Sequence, residues 1–215
     1  MYKLFSLVIT ISIILGCNAN PPESNEKSHT VESIKVKTNA VAYFASGCFW
    51  CVEAIFESVE GVGDVVSGYS GGKQNTATYG EVSAGRTQHA EAVAVHYDST
   101  QVDYPTLLKV FFGSHDPTTL NQQGPDRGTQ YRSAVFYRNN TEKKLAEKYI
   151  KELLEKGEYS KITTEVSELK GFYKAEAYHQ NYERNNPNNS YVRNVSVPRL
   201  NKFKRKFPEL LKKGH

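Results

Sequence analysis

The pattern of apolar and polar positions divides the chain into three stretches. Leu4 to Gly16 is almost entirely apolar, Asn18 to Asn39 is polar, and from Val41 onward short apolar runs alternate with polar breaks. In this third stretch Val41 to Ala45 predicts a short buried strand. Phe49 to Val59 predicts a helix, ended by Gly61 and Gly63. Asp64 to Tyr69 predicts a second strand closed by Gly71 and Gly72, then a polar loop containing Tyr79. From Ala90 to Tyr97, Ala92, Ala94 and His96 alternate with Val93, Val95 and Tyr97, the period-two signature of a third strand. Tyr104 to Phe112 predicts a helix with Pro105 in its first turn, where proline is tolerated. Ser114 to Gly128 is a loop rich in Asp, Gly, Pro and Gln, and Tyr131 to Tyr137 a fourth strand. Thr141 to Lys156 is an amphipathic helix with Leu145, Tyr149, Leu153 and Leu154 on one side. Ile162 to Val166 predicts a short strand, and Ala175 to Arg184 a last helix before Pro187. Strand, helix, strand, strand, helix, strand is the split βαβ order. The expected fold is therefore α+β, a ferredoxin-like sandwich with additional C-terminal helices, spanning residues 41–215.

The first stretch changes the picture of where this domain sits. Lys3 followed by a short apolar run has the layout of a secretory signal and is too short to span a bilayer comfortably. It ends Ile14-Leu15-Gly16-Cys17 and resembles a bacterial lipoprotein signal, in which cleavage before the cysteine leaves Cys17 to carry lipid. A plain signal peptide or a weak anchor is the alternative. Residues 17–40, with Pro21, Pro22 and several charges, read as a flexible tether. The expected location is the bacterial cell envelope, with the domain lipid-anchored to a membrane and facing the periplasm or the exterior.

Composition adds few constraints. Apolar residues at 39% and charged residues at 23% fit a globular core with a solvated surface. A net charge of +4 gives no reason to expect a nucleic-acid partner. The basic stretch Lys202 to Lys213, interleaved with Phe203, Phe207, Leu210 and Leu211, reads as a tail packed on the domain. Fourteen tyrosines are many, and a tyrosine offers an apolar body with a polar tip for lining a site.

The candidate chemistry begins at Gly47-Cys48-Phe49-Trp50-Cys51, which holds two of the three cysteines and the only tryptophan. A cysteine at a strand-to-helix turn meets free N–H groups and the positive end of the helix dipole, which favour the reactive thiolate. Aromatic neighbours suggest a small apolar pocket. Cys48 and Cys51, three apart in a first helical turn, place their sulfurs on one face within reach of a disulfide. Such a pair is redox-active, structural or simply buried. A zinc site lacks a second ligand pair, because His89, His96, His115 and His179 have no metal-type spacing. Gln88-His89-Ala90-Glu91 sets an acid among Ala and Val, where desolvation raises a carboxyl's pKa. Gly124 to Ser133 brings Asp126 and Tyr131 to the mouth of a strand.

Six motifs in order carry a resemblance. Gly47-Cys-Phe-Trp50, Thr78-Tyr79-Gly-Glu-Val82, His89-Ala-Glu-Ala-Val93, His115-Asp-Pro117, Gly128-Thr-Gln-Tyr-Arg-Ser133 and Tyr178-His-Gln180 with Asn186-Pro187 resemble the peptide methionine sulfoxide reductases of the A type. The resemblance covers roughly Val41 to Pro208. It implies a thiol-dependent enzyme that reduces methionine (S)-sulfoxide, in proteins or free, without a bound cofactor and as a monomer. It implies that Cys48 attacks the sulfoxide sulfur, Glu91 protonates the oxygen, and Tyr79 and Tyr131 hydrogen-bond that oxygen. Phe49 and Trp50 would receive the methyl group, Asp126 would orient the substrate, and His179 and Tyr182 would border the site. The attack leaves a Cys48 sulfenic acid that needs a resolving thiol. The best-known members carry resolving cysteines in a Gly-rich tail and have Gly where this chain has Cys51. With no cysteine in the tail and Cys17 assigned to lipid, Cys51 is the remaining candidate, and a thioredoxin-like dithiol would reduce the resulting Cys48–Cys51 disulfide. A general C-x-x-C thiol–disulfide oxidoreductase is the competing class. It would have Trp before the first cysteine, where this chain has Gly47. A non-catalytic envelope lipoprotein is the third, and it leaves Glu91, Tyr79 and Tyr131 without a role.

Overall fold

A computed structural model describes residues 38–214. The expected signal peptide, Cys17 and nearly all of the expected tether lie outside those residues. The domain's first strand, β1 (Ala40–Ser46), runs into helix α1 (Phe49–Glu57) and returns as β2 (Val62–Ser70). The short helix α2 (Tyr79–Ser83) precedes β3 (Ala90–Tyr97), and α3 (Tyr104–Gly113) follows it. Two two-residue strands, β4 (Gln122–Gln123) and β5 (Asp126–Arg127), pair with each other before β6 (Ser133–Tyr137) and α4 (Asn140–Glu155). Short strands β7 (Glu165–Glu168) and β8 (Phe172–Lys174) follow, then α5 (Tyr182–Asn185), a π-helical turn (Val192–Ser196) and α6 (Val197–Lys206).

The main sheet runs β7-β6-β1-β3-β2-β8. Its middle four strands are mutually antiparallel, with β3 inserted between β1 and β2. That is the expected split βαβ order. β7 extends one edge in parallel and β8 the other in antiparallel. Alternation sorts the side chains. Phe44, Val93 and Val95 face the main core with α1 and α3, while Ala45, Ala90 and Ala92 face a smaller cluster around Phe136 and Phe172. Phe44 stacks on Phe56 of α1 and Phe111 of α3, with ring centroids 5.2 Å apart in each case. Asp103 caps α3 by accepting from the Thr106 N–H at 2.8 Å, and Pro105 sits harmlessly in its first turn.

Four expectations need correction. The polar loop after β2 holds helix α2, which starts at Tyr79. Tyr131 closes a 3₁₀ turn at Thr129–Tyr131 instead of opening β6. The helix expected over 175–184 is a 3₁₀ turn at Ala177–His179 and the short α5, separated by Asn181 in the left-handed region at φ 53°. The edge strand expected over 162–166 lies at Glu165–Glu168.

Candidate active site

Gly47 links β1 to α1 with φ +89°. A Cβ there would lie 2.6 Å from Gln123 Cβ, so glycine serves both the turn and the close approach of the 114–128 loop. Cys48 is the N-cap of α1, but its side chain makes no capping bond. The Phe49 N–H instead donates to Glu91 Oε2 at 3.0 Å. A carboxyl from another element thus satisfies one of the free donors of a helix start. Glu91 stands opposite Tyr69 in the β2–β3 ladder and is only 2% exposed. Burial pushes its carboxyl up to about 8, against the Phe49 hydrogen bond, and the negative potential of Asp126 and Cys51 adds to the rise. Glu91 is therefore protonated at neutral pH.

Cys48 and Cys51 are buried free thiols. Burial pushes the Cys48 thiol well up, and its hydrogen bond to Cys51 and the nearby charges of Cys51 and Glu91 push the same way. Cys51 is pulled down to about 6, first by the hydrogen bond from Cys48, then by Arg199, Ser196 and Tyr191, against burial. The two sulfurs share one proton, and the pair gives up its first proton far more readily than its second. The helix dipole by itself predicts the negative charge on Cys48. The hydrogen bond from Cys48, followed by the charge of Arg199, favours the thiolate at Cys51, while burial beside Glu91 disfavours it at Cys48.

An aromatic wall completes the apolar side. Trp50 stacks on Tyr182, with centroids 3.7 Å apart and ring planes 7° apart, and its Nε1–H donates to His179 Nδ1 at 3.1 Å. That bond fixes the His179 tautomer with its proton on Nε2, which is buried and 3.9 Å from Glu176 Oε2. His179 packs on Phe49 at 5.0 Å and on Tyr79 at 4.3 Å. Tyr79 is held by its backbone N–H, which donates to Glu176 Oε1 at 2.9 Å, and Tyr69 donates to the other oxygen of the same carboxylate at 2.8 Å. Burial, followed by the charge of Glu91, suppresses ionisation of both Tyr79 and Tyr131. Both phenols stay neutral donors, and both feel the charge of Cys48. Asp126 accepts from Tyr191 Oη at 2.5 Å, and that same hydroxyl lies 3.9 Å from Cys51 Sγ.

The structure thus brings every expected site residue among those described around one helix N-terminus. Two imidazoles of the motifs serve elsewhere. His89 accepts from the Gly72 N–H and donates to Lys73 O. His115 donates to Phe111 O and accepts from Ser133 Oγ, and burial drives its pKa down to about 3, so it stays neutral.

Residues 40–211 match the family described as peptide methionine sulfoxide reductase. The chain belongs to that family. It is an oxidoreductase of that class. A peptide methionine sulfoxide reductase MsrA of Natronomonas pharaonis is 51% identical over 171 residues, covering 79% of this chain and 96% of the relative. The reduced form of Mxr1 from Saccharomyces cerevisiae superposes with a TM-score of 0.65 at 34% identity, covering 71% of this chain and 88% of that one. Methionine sulfoxide reductase A of Corynebacterium diphtheriae gives 0.61 at 36% identity, covering 68% and 74%.

Within this member of the family, sequence reading missed Tyr191, Ser196 and Arg199. All three come from residues 191–199, part of the C-terminal tail noted in the sequence only for its lack of cysteine. Arg199 Nε donates to Ser114 O and Nη2 to Ser46 O, each at 2.9 Å, which ties α6 to the end of β1. Two cavities adjoin α1. One of about 330 Å³ is lined by Trp50, Glu53 and Tyr182. The other, about 720 Å³, is lined by Cys51, Asp126, Tyr191 and Arg199.

Proposed function

We propose that the chain reduces methionine (S)-sulfoxide in peptides and proteins, and as the free amino acid, by the roles set out here. The Cys48 sulfur attacks the sulfoxide sulfur with the methyl group against Phe49 and Trp50. Glu91 donates a proton to the departing oxygen while Tyr79 and Tyr131 hydrogen-bond it, and Asp126, His179 and Tyr182 frame the substrate. The sulfoxide and the Cys48 thiol become methionine and a Cys48 sulfenic acid, so atoms and electrons balance. The observation that carries this reading is Glu91 buried next to the nucleophile and held by the Phe49 N–H, a setting that raises its carboxyl to about 8. A buried carboxyl kept neutral there is a donor aimed at the sulfoxide oxygen as its bond to the methionine sulfur breaks.

Cys51 then attacks the Cys48 sulfur, expelling water and closing a Cys48–Cys51 disulfide. A thioredoxin-type dithiol reduces that disulfide. Support comes from the two free thiols sharing one proton and from the absence of any other cysteine among the described residues. Oxidised proteins are then the substrates, and no bound cofactor or oligomeric partner is needed. The apolar run ending at Cys17 supports a lipid anchor that holds the domain on a bacterial membrane, facing the periplasm or exterior. Mass spectrometry of the mature N-terminus tests the anchor, and an unmodified Cys17 would remove it.

Turnover of a methionine sulfoxide substrate with dithiothreitol tests the chemistry. Wild type should turn over, and Cys48→Ser should lose at least about a thousandfold, as expected for removal of a covalent nucleophile. Insulin-disulfide reduction without sulfoxide turnover would instead favour a general thiol–disulfide oxidoreductase. Cys51→Ser should release one methionine per chain and then stall with thioredoxin. Full multi-turnover activity in that variant would remove Cys51 from the resolving role.

A further inference from the structure

Cys51 has a compartment of its own. Cys51 lines the 720 Å³ cavity together with Tyr191 and Arg199, whereas Cys48, Glu91, Tyr79 and Tyr131 do not. The charged and titratable groups around it are Cys48 on its own helical turn, Glu91 on β3, Tyr191 and Arg199 from the C-terminal segment, Asp126 behind Tyr191, and neutral His115, Asp116, Tyr159, Lys202 and Lys206 on the cavity lining. Of the three cations on that lining, Arg199 is the one whose charge acts on the Cys51 thiol. Its guanidinium is not free to wander, because Nε and Nη2 are spent on Ser114 O and Ser46 O, with Ser46 Oγ also within 3.3 Å of Nη2. A planar fork fixed by two carbonyls presents its charge in one place. The same charge helps pull Cys51 below the ordinary thiol range.

We propose that Arg199 is a positioning residue for the resolving step: its pinned guanidinium is the counter-charge that holds the Cys51 sulfur ready to close on Cys48. The inference rests on Cys51 being the resolving cysteine. In the step, Cys51 S⁻ attacks the Cys48 sulfur of Cys48–S–OH. The S–S bond forms, the S–O bond breaks, and the hydroxide leaves as water with a proton from Glu91, which solvent later returns. A thiolate attacks and a thiol does not, so a neutral side chain at 199 reduces the reactive fraction at a given pH.

The test uses the folded domain with one equivalent of methionine sulfoxide and no reductant. Methionine release and disulfide closure are followed separately, the latter by loss of dimedone-reactive sulfenic acid and by intact mass. Arg199→Gln carries no charge and places an amide nitrogen where Nε stood, so it keeps a donor for Ser114 O and gives up the bond to Ser46 O. It should release methionine within about twofold of wild type and close the disulfide at least tenfold more slowly at pH 7. The pH midpoint of closure should move upward. Arg199→Lys should recover a substantial part of the closure rate. Equal slowing of both steps in Arg199→Gln, or closure with an unchanged rate and pH midpoint, would overturn the proposal. Should Arg199→Gln fail to fold, Arg199→Lys decides alone: wild-type closure at an unshifted midpoint supports the charge, and slowed methionine release refutes it. A wild-type chain that forms no Cys48–Cys51 disulfide would point instead to failure of the Cys51 reading itself.

Discussion

Cys48 and Cys51 lie one helical turn apart, yet their surroundings are assembled from different parts of the chain. Around Cys48 stand Phe49 and Trp50 from its own helix, Glu91 from β3, Tyr79 from α2 and Tyr131 from a 3₁₀ turn. Around Cys51 stand Tyr191, Ser196 and Arg199, all from the π-helical turn, its N-terminal flank and α6. The first set supplies a proton donor, neutral phenols and an apolar wall. The second supplies a cation and hydroxyls. A sulfoxide needs an acid at its oxygen and a slot for its methyl, whereas a resolving sulfur needs its negative charge stabilised. The electrostatics of each side match one half of a two-step reaction, and the shared proton between the sulfurs joins the halves.

After loss of the nucleophile itself, the largest effect should fall at Glu91, which belongs to the Cys48 side and donates a proton in both steps. Glu91→Gln removes the proton donor and should lower kcat by about 10²- to 10⁴-fold, the usual range for a general acid. Because burial raises the folded-state pKa of Glu91 to about 8, the acid is loaded below that pH and emptied above it. Methionine release should therefore fall as pH rises through about 8 in wild type, and that limb should vanish in Glu91→Gln. A persisting limb would assign the proton to another group. Tyr191→Phe touches both halves, since one hydroxyl meets Asp126 and Cys51. Losing a hydrogen bond to a charged partner costs roughly 1.5–3 kcal/mol, so methionine release and disulfide closure should both slow by at least about tenfold. If only one step slows, the two halves are more separate than the geometry indicates. Gly47→Ala should act mainly on stability, by about 1–3 kcal/mol for a side chain forced to positive φ against Gln123. Thermal unfolding measures it, and a Tm within 1 °C or so of wild type would show that the 114–128 loop yields easily.

The same contrast explains what could be read without a structure. The four central strands and the larger helices were legible because each carries its own periodicity, as in the Ala-against-Val alternation of β3. Glu91 stood out as an acid in an apolar strand, and ordered motifs placed Tyr79, Tyr131 and Asp126 beside it. The helix expected over 175–184 failed for a non-local reason. Glu53, buried on α1, accepts from the Asn181 N–H at 2.7 Å, while the Gln180 side chain bridges the N–H and C=O of Ser67. Those contacts break the helix at Asn181, and nothing in the local pattern announces them. β4, β5 and β8 are two or three residues long, too short for any period. Arg199 is one of many basic residues in the C-terminal segment, and only its bonds to Ser46 and Ser114 distinguish it.

The stacking of Trp50 on Tyr182 has a spectroscopic consequence. The sequence contains one tryptophan, and it sits in the wall of the site with its indole N–H on His179. Emission excited beyond the absorption of the fourteen tyrosines therefore comes from a single indole less than a helical turn from the nucleophile. Sulfoxide entry, sulfenic acid formation and disulfide closure each alter that chromophore's neighbours, so the chain carries a built-in optical clock for its own catalytic cycle.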